Sequence, residues 1–258
     1  MSKLQILIPQ YNEDENMIKP LLDSIAIQQD VDLKQDIEVF IGNDGSDVKL
    51  STDFLKQYPF KIQYHFFEHA RLAATRQKLF DLVTAPYVMW CDADDRFIST
   101  IALSMIMQYI HNGFDALIFD IVEQNAFPDG RVVYIPRKND CIFVHGKIYR
   151  TEFLKENHIK WHPELHEHQD SPFNVLARTL AKKSYNCPLV IYMWCNNRKS
   201  ISRINGIYHL VNTWPHMIDS YQALVDDFKD RGLGHHARYY AKYCLYASYY
   251  EMAHSVWF

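Results

Sequence analysis

Residues 87–95 combine a short apolar segment with a dense group of acidic residues. Residues 87–91 have the composition of a buried strand, and Asp92, Asp94 and Asp95 follow them directly. A strand that ends in carboxylates brings charge to the carboxyl edge of a sheet, which is where open α/β sheets bind ligands. Carboxylates this close repel one another unless a cation lies among them. The sequence therefore predicts a divalent-metal site that holds a phosphorylated substrate.

Strands and helices alternate through the first hundred residues, which predicts βαβ units and a largely parallel sheet. Strand-like segments lie at 4–9, 37–41, 61–66 and 87–91. One helix carries Ile18, Leu21, Leu22 and Ile25, and another, at 71–83, is expected to direct Leu72, Thr75, Leu79 and Leu82 toward the core. The second half is mixed, with strands expected at 116–122, 131–135, 141–144 and 189–195, helices at 99–112, 151–157 and 170–183, and a helical remainder after residue 203.

Composition limits the function classes. The chain has 258 residues, of which 48% are hydrophobic and 22% charged, as expected of a soluble globular protein. A formal net charge of -4 gives no overall attraction to nucleic acid or anionic membranes. Five cysteines without a CxxC pair indicate a reducing compartment. We expect no signal peptide and no transmembrane segment, hence a cytoplasmic location, with association at the inner membrane face left open.

Polar turns follow the predicted strands at residues 10–13, 43–47 and 92–95. In a parallel sheet such turns lie along one edge, so their side chains can converge. Tyr11 offers a flat face for a base, and Asp44 can accept hydrogen bonds from a ring N–H or a ribose hydroxyl. Together with a cation at 92–95, these groups suit a nucleoside diphosphate.

A glycine-rich phosphate loop is missing from the sequence. The chain has eight glycines and contains neither GxGxxG nor GxxxxGK[ST], which argues against a dinucleotide-binding enzyme and a P-loop nucleotidase. The phosphate charge would then be met by metal and by basic side chains such as Lys147, Arg198, Lys199 and Arg203.

Several segments, in order over roughly residues 3–205, resemble the family 2 glycosyltransferases. Residues 7–13 resemble the family's opening strand and nucleotide loop, residues 43–46 its DDGS motif, and residues 92–94 its DxD motif. Further similarities are Arg71 and residues 74–76 to an ARN-type helix start, residues 145–154 to a GK-Y-R-x-x-F-L segment, Gln169-Asp170 to an ED pair, and residues 200–202 to a SIT-like loop. The order and spacing of these segments make the resemblance strong.

The resemblance implies a GT-A fold, a Rossmann-like α/β architecture with a mixed, mainly parallel sheet flanked by helices. It implies a catalytic domain at 1–205, with a nucleotide-binding half at 1–98 and an acceptor-binding half at 99–205, and a helical C-terminal extension at 206–258. Asp170 would be the catalytic base of an inverting transfer. Asp92 and Asp94, helped by His168, would hold Mn²⁺ or Mg²⁺. The implied donor contacts are Pro9, Tyr11, Glu13, Asp44, Arg71, Arg76, Asp92, Ala93, Lys147, Arg198, Ser202 and Arg203.

The chain departs from the family pattern at two positions. Asn43 replaces the first Asp of DDGS, and Gln169 replaces the Glu before the base. The neighbouring segment 162–168 is rich in histidine, and Glu167 is an alternative base if the motif is His166-Glu167 followed by an insertion. We prefer Asp170, because Phe173 and a helix follow it as in the family. A separate zinc site at these histidines is the other alternative.

The sequence therefore predicts a metal-dependent, inverting glycosyltransferase that uses a nucleotide-activated sugar, with UDP as the expected nucleotide. A cell-envelope glycan or a lipid-linked sugar is the expected acceptor, and a hydroxylated base in DNA is left open. The rival functions are a sugar-nucleotide pyrophosphorylase and an inactive nucleotide-sugar-binding module.

The C-terminal helix carries Tyr239, Tyr243, Tyr246 and Tyr250 on one face. We expect this face to pack on the catalytic domain or on a second protomer, as in a homo-oligomer, and an acceptor or membrane-surface role is the alternative.

Overall fold

The computed structural model describes residues 2–127, 129–196 and 207–255, with side chains for these except 207–212 and 251–255. In chain order the strands are β1 (Leu4–Gln10), β2 (Ile37–Asp44), β3 (Lys61–Phe67), β4 (Tyr87–Trp90), β5 (Arg96–Phe97), β6 (Ala116–Ala126), β7 (Val132–Arg137), β8 (Lys147–Arg150) and β9 (Ser184–Trp194). The helices are α1 (Glu15–Ala26), α2 (Leu33–Asp36), α3 (Thr52–Lys56), α4 (Arg71–Asp81), α5 (Ala102–Ile110), α6 (Thr151–Glu156), α7 (Asp170–Leu180), α8 (Ile207–Asp230) and α9 (Gly234–Ser255).

The strands of the described residues form one mixed sheet in the order β3-β2-β1-β4-β8-β6-β9-β5, with β7 beside β6. The first four strands in this order run parallel, and β8 runs antiparallel between β4 and β6. Since β6 and β9 run parallel to each other and antiparallel to β8, they end where β1, β2 and β4 end. Since β3 is parallel to β2, one sheet edge collects the ends of six strands and the beginning of β8.

Two apolar cores, one on each face of the sheet, hold the helices in place. On one face α1 and α5 contribute fully buried residues such as Ile18 and Ile106. The N-cap Asp14 determines where α1 begins, because its side chain accepts a hydrogen bond of 2.9 Å from the Met17 backbone N–H. On the other face α4, α6, α7 and α8 share a core in which Phe228 of α8 is fully buried. The C-terminal helices thus belong to the same packed body as α7.

The apolar face of α4 differs from the expectation. Thr75 and Leu79 are buried as predicted, but Leu72 and Leu82 are 36% and 40% exposed. The inward face instead includes Arg76, which is 1% exposed. The rotation of the helix thus places a guanidinium inside the protein, which a pattern of apolar residues does not reveal.

Three other elements also differ from the expectation. Residues 141–144 form bends rather than a strand, and the Asp140 side chain organises them by accepting hydrogen bonds from the backbone N–H groups of Ile142 and Phe143. Helix α5 begins at Ala102 instead of residue 99, and β9 begins at Ser184 rather than residue 189.

The tyrosine face of α9 is largely solvent-exposed. Tyr239, Tyr243, Tyr246 and Tyr250 are 56%, 41%, 67% and 48% exposed. The expectation that this face packs on the catalytic domain is wrong for most of it, because Ala237 and Tyr240, on another side of the helix, make the contacts with the core of α8. None of the described helices has the length and apolar character needed to cross a membrane.

Candidate active site

A buried arginine joins two carboxylates from distant segments of the chain. Arg76 donates from Nη2 to Asp92 Oδ1 at 2.8 Å and from Nη1 to Asp170 Oδ1. Its guanidinium lies over the Trp161 ring, 4.8 Å from the centroid. Burial of Arg76 explains why both carboxylates approach it, since a guanidinium without counter-charges is costly inside a protein. The partners of Arg76 in the structure are thus protein carboxylates, and its contact with phosphate stays a prediction.

A histidine that the sequence did not single out lies beside the acidic cluster. His145 Nε2 is 3.0 Å from Asp92 Oδ2 and 3.4 Å from Asp95 Oδ2. Its ring stacks between aromatic neighbours, with centroid distances of 5.6 Å to both Tyr192 and Trp194. Because β8 is antiparallel, the residues just before it lie at the edge where β4 ends, which brings His145 to Asp92.

Gly146 fixes the position of His145. Its φ of +69° is a left-handed backbone conformation that favours glycine, and an added Cβ would lie 2.6 Å from Ile121 Cγ2. The chain therefore passes close to β6 at this residue, which leaves the preceding imidazole directed at the carboxylates.

Opposing charges set the pKa values of this cluster. Burial alone would raise the pKa of Asp92, but the Arg76 charge and the His145 hydrogen bond lower it below its usual value. Burial raises the pKa of Asp95 well above its usual value, and the charges of Asp92 and Asp94 add to the effect. Burial opposes protonation of His145, yet the hydrogen bond and charge of Asp92 raise its pKa. Arg76 and His145 thus supply some of the positive charge that a metal ion was expected to provide among the carboxylates.

The donor set nevertheless fits a metal ion. Asp92, Asp95 and His145 offer ligand atoms that all lie within 4.8 Å of one another. Within the described part of the chain, Asp95 Oδ2 and His145 Nδ1 are buried without a hydrogen-bond partner. Carboxylate oxygen and imidazole nitrogen are ligands that Mn²⁺ accepts. The histidine in this group is His145 and not the predicted His168, which is exposed and whose carbonyl accepts a hydrogen bond from Ser220.

The nucleotide-loop residues form a ring platform at the ends of β1 and β2. Tyr11 is 49% exposed and stacks on His69, with ring centroids 4.6 Å apart. His69 Nδ1 lies 3.0 Å from Asp44 Oδ2. Pro9 lies within β1, where it pairs in register with Gly42 of β2. This platform is a flat, half-exposed surface close to the acidic cluster.

Comparison with known proteins identifies the family. The model for "Glycosyl transferase family 2" matches residues 5–169, which is more than half of the chain. The chain belongs to glycosyl transferase family 2. It is therefore a glycosyltransferase, as the sequence predicted. Comparison with individual curated proteins gives no match.

Solved structures support the GT-A fold of this glycosyltransferase. Residues 1–349 of TarS from S. aureus, in complex with UDP, share 18% identity with it at a TM-score of 0.61, over 88% of this chain and 70% of that one. The same protein in complex with UDP-GlcNAc gives a TM-score of 0.62 at 18% identity, over 88% and 71% of the two chains. The mannosyltransferase PcManGT from Pyrobaculum calidifontis, in complex with GDP-Man and Mn²⁺, shares 13% identity at a TM-score of 0.60, over 98% and 75%.

Glu13 lies close enough to the acidic cluster of the glycosyltransferase for the charges of that cluster to change its pKa. Burial, with a smaller effect from the charges of Asp94 and Asp92, raises the pKa of Glu13 to about 7 against the hydrogen bond from the Tyr11 backbone N–H. That hydrogen bond, to Glu13 Oε2, is 2.5 Å long. The predicted residues Tyr11, Glu13, Asp92 and Asp94 thus share one side of the sheet edge.

Lys147, a predicted phosphate contact, binds other groups of the protein in the structure. Lys147 is 1% exposed, and its ammonium binds Asp140 at 3.2 Å and the Phe143 carbonyl. Burial lowers the pKa of Lys147. A side chain bound in this way stabilises the loop before β8, and the expected contact of its ammonium with phosphate stays a prediction.

Arg71 has an unusual backbone conformation for its residue type. Its φ is +73°, and its Nη1 lies 2.6 Å from His166 Nδ1. The His166 ring in turn stacks on His216 of α8, with centroids 5.0 Å apart. Arg71 therefore links the start of α4 to the histidine-rich loop, and its contact with phosphate stays a prediction. The predicted residues Arg198, Lys199, Ser202 and Arg203 lie outside the described residues.

Asp170 and the remaining predicted residues lie where the sheet edge meets α7. Asp170 begins α7, and its Oδ2 accepts a hydrogen bond of 2.9 Å from the Val144 backbone N–H. Ala93 is 4% exposed and contributes its backbone to the turn after β4. Sequence reasoning missed His69 and His145. For His145 a signal was available, because an antiparallel strand beginning after residue 146 would have brought this residue to the acidic edge.

Proposed function

We propose that this glycosyltransferase moves a sugar from a UDP-sugar to an acceptor hydroxyl, with inversion at the anomeric carbon. The observation that carries the proposal is the bridge from Asp92 through Arg76 to Asp170, which links the acidic sheet edge to a second carboxylate. An inverting transfer needs such a second carboxylate, because the base must approach the acceptor from the side opposite the departing diphosphate.

The lone pairs of Asp170 support its role as the base. Each of its oxygens accepts one described hydrogen bond, from Arg76 and from Val144, while a carboxylate offers about four lone-pair sites in all. The side chain is 16% exposed, so an acceptor hydroxyl can reach it. In the proposed step the hydroxyl oxygen bonds to the anomeric carbon, its proton passes to Asp170, and the bond from that carbon to the diphosphate breaks. Glu167 has no described contact with Arg76, which favours Asp170 over this alternative.

The donor proposal has support from the ring platform and from the similar structures. The Tyr11 ring offers a stacking surface, and stacking on aromatic rings is favourable for every base. UDP, UDP-GlcNAc and GDP-Man in the similar structures are all nucleoside diphosphates or their sugars. Residues 1–98 would bind this donor and residues 99–205 the acceptor.

Mn²⁺ or Mg²⁺ is the proposed metal, with Asp92, Asp95 and His145 as holding residues and Asp94 as the further ligand that the DxD resemblance implies. When bound, such an ion would neutralise charge on the departing diphosphate. Asp95 Oδ2, which is buried without a hydrogen-bond partner, supports this assignment. For the acceptor we propose a glycan or lipid-linked sugar that offers a hydroxyl.

Release of nucleoside diphosphate from a panel of UDP-sugars, measured with and without EDTA, tests the proposal. We expect turnover of at least one donor with an added acceptor glycan, and loss of turnover with EDTA or in Asp94→Ala. Unchanged transfer after metal removal would overturn the metal role. Release of pyrophosphate, or binding of UDP-sugars without turnover of any acceptor, would overturn the transfer reaction itself.

A further inference from the structure

Both carboxylate oxygens of Asp44 interact with other groups of the protein. Asp44 is 3% exposed, its Oδ1 accepts a hydrogen bond of 2.9 Å from the Ala70 backbone N–H, and its Oδ2 faces His69 Nδ1 at 3.0 Å. The His69 side chain, by contrast, is 49% exposed. The polar group that the ring platform presents to solvent is therefore the imidazole rather than the carboxylate beneath it.

The surroundings of His69 fix which ring nitrogen carries the proton. Nδ1 lies 3.0 Å from the Asp44 backbone carbonyl oxygen as well as 3.0 Å from its carboxylate. A carbonyl oxygen only accepts hydrogen bonds, so Nδ1 must be the donor. In the neutral imidazole Nε2 is then an acceptor, directed away from Asp44 on the other side of the ring.

Gly45 and Tyr11 hold the imidazole in place. A Cβ on Gly45 would lie 2.7 Å from the His69 backbone nitrogen and 2.9 Å from its Cβ, so the turn after β2 packs directly against His69. On the exposed side the Tyr11 ring stacks on the imidazole with an interplanar angle of 29°. The acceptor nitrogen therefore has a defined position at the margin of a stacking surface.

We propose that His69 recognises the donor base, with Nε2 accepting the ring N–H of uracil and Asp44 acting as its positioning residue. This inference rests on the proposed UDP-sugar donor and names the group that selects its base. Uracil presents an N–H between its two carbonyl groups, whereas cytosine has an unprotonated nitrogen at the same position. Two acceptors facing each other leave both without a donor, which is unfavourable. His69 would thus favour uridine over cytidine nucleotides.

Titration calorimetry with UDP and CDP at pH 8 tests the inference on the full chain. We expect the wild type to bind UDP about tenfold more tightly than CDP. His69→Phe keeps a ring against Tyr11 but removes the acceptor, so it should weaken UDP binding by about tenfold and bring the two affinities close together. His69→Gln restores an acceptor oxygen and should recover part of the preference.

Two control variants separate base recognition from other losses. Tyr11→Leu removes a stacking ring that every base can use, so it should weaken CDP binding as well as UDP binding, whereas His69→Phe should weaken UDP binding alone. His111→Phe changes an exposed histidine that precedes β6 at the opposite sheet edge, and it should leave both affinities unchanged. Melting temperatures of all variants show whether the fold is retained.

The outcomes distinguish this inference from the proposed function. If His69→Phe retains the wild-type preference for UDP over CDP, another group recognises the base, and the role of His69 is overturned while the UDP donor stands. Equal binding of UDP and CDP by the wild type would show that no group selects uracil over cytosine, which also overturns the role of His69. If the wild type binds GDP but not UDP, the proposed donor fails together with the inference.

Discussion

Asp92 and Asp170 bind the same guanidinium, that of Arg76, although they lie in distant segments of the chain. Asp92 follows β4 and Asp170 begins α7. Because Arg76 is 1% exposed, each carboxylate has its cation in a region where an unpaired charge is costly. The arginine therefore fixes the distance between the acidic sheet edge and the proposed base, and it makes the two parts of the site depend on each other.

Arg76→Met should lower the free energy of unfolding by about 3 kcal/mol, because it leaves two partly buried carboxylates without their cation. Urea denaturation measures the change. The matched control is Lys19→Met, which removes an exposed ion pair with Asp23 and should change stability by less than about 0.5 kcal/mol. Adding Asp170→Asn to Arg76→Met should recover part of the loss, and strictly additive losses would contradict the coupling.

Asp170→Asn should lower kcat by at least about 100-fold while UDP affinity stays within a few fold of wild type, since an amide cannot take the acceptor proton. Glu167→Gln, at the alternative position, should keep near wild-type activity. Steady-state kinetics on a responsive donor and calorimetry with UDP measure the two effects. A silent Asp170→Asn together with an inactive Glu167→Gln would reassign the base.

His145→Gln should weaken Mn²⁺ binding by about tenfold or more, because it removes an imidazole from the group that includes Asp92 and Asp95. His168→Ala changes an exposed histidine outside that group and should leave Mn²⁺ affinity unchanged. Calorimetric titration with Mn²⁺ in the presence of UDP compares the two variants. Equal losses in both, or a loss only in His168→Ala, would restore the ligand set expected from the sequence.

Glu13 should make stability depend on pH in a definite direction. Its folded pKa of about 7 lies above the ordinary 4.5, so folding takes up a proton between these values, and the free energy of unfolding falls as pH rises through this window. Glu13→Gln should remove this dependence, a change on the order of 1 kcal/mol between pH 5 and 8 after allowance for partial exposure. Urea denaturation in EDTA measures it, and parallel pH profiles for the two proteins would refute the prediction.

The strands that build the site were predictable because their signal is local. The segments predicted at 4–9, 37–41, 61–66 and 87–91 became β1 to β4, which run parallel to one another. Apolar runs followed by polar turns identify such strands without knowledge of the partners. The GT-A fold and the family were also confirmed. Their main motifs lie at the ends of these strands, so they too are local signals that the sequence shows directly.

The arginine and the histidines of the site were not predictable in the same way. Arg76 lies on a helix whose apolar spacing places Leu72 and Leu82 inside, yet its ion pairs with Asp92 and Asp170 turn the helix so that these leucines are partly exposed. His145 reaches Asp92 only because β8 inserts antiparallel beside β4. Neither effect leaves a periodic pattern in the chain.

The sequence by itself determined that carboxylates gather at the end of a buried strand and that polar turns from neighbouring strands share this edge, because strand composition and parallel order are local properties. Only the tertiary structure decided which cations and donors meet those carboxylates. Asp92 is paired with Arg76 and His145, Asp170 with Arg76, and Asp44 with His69. The physical reason is that burial makes each charge require a partner, and the identity of that partner depends on which distant segments the fold brings within hydrogen-bond distance.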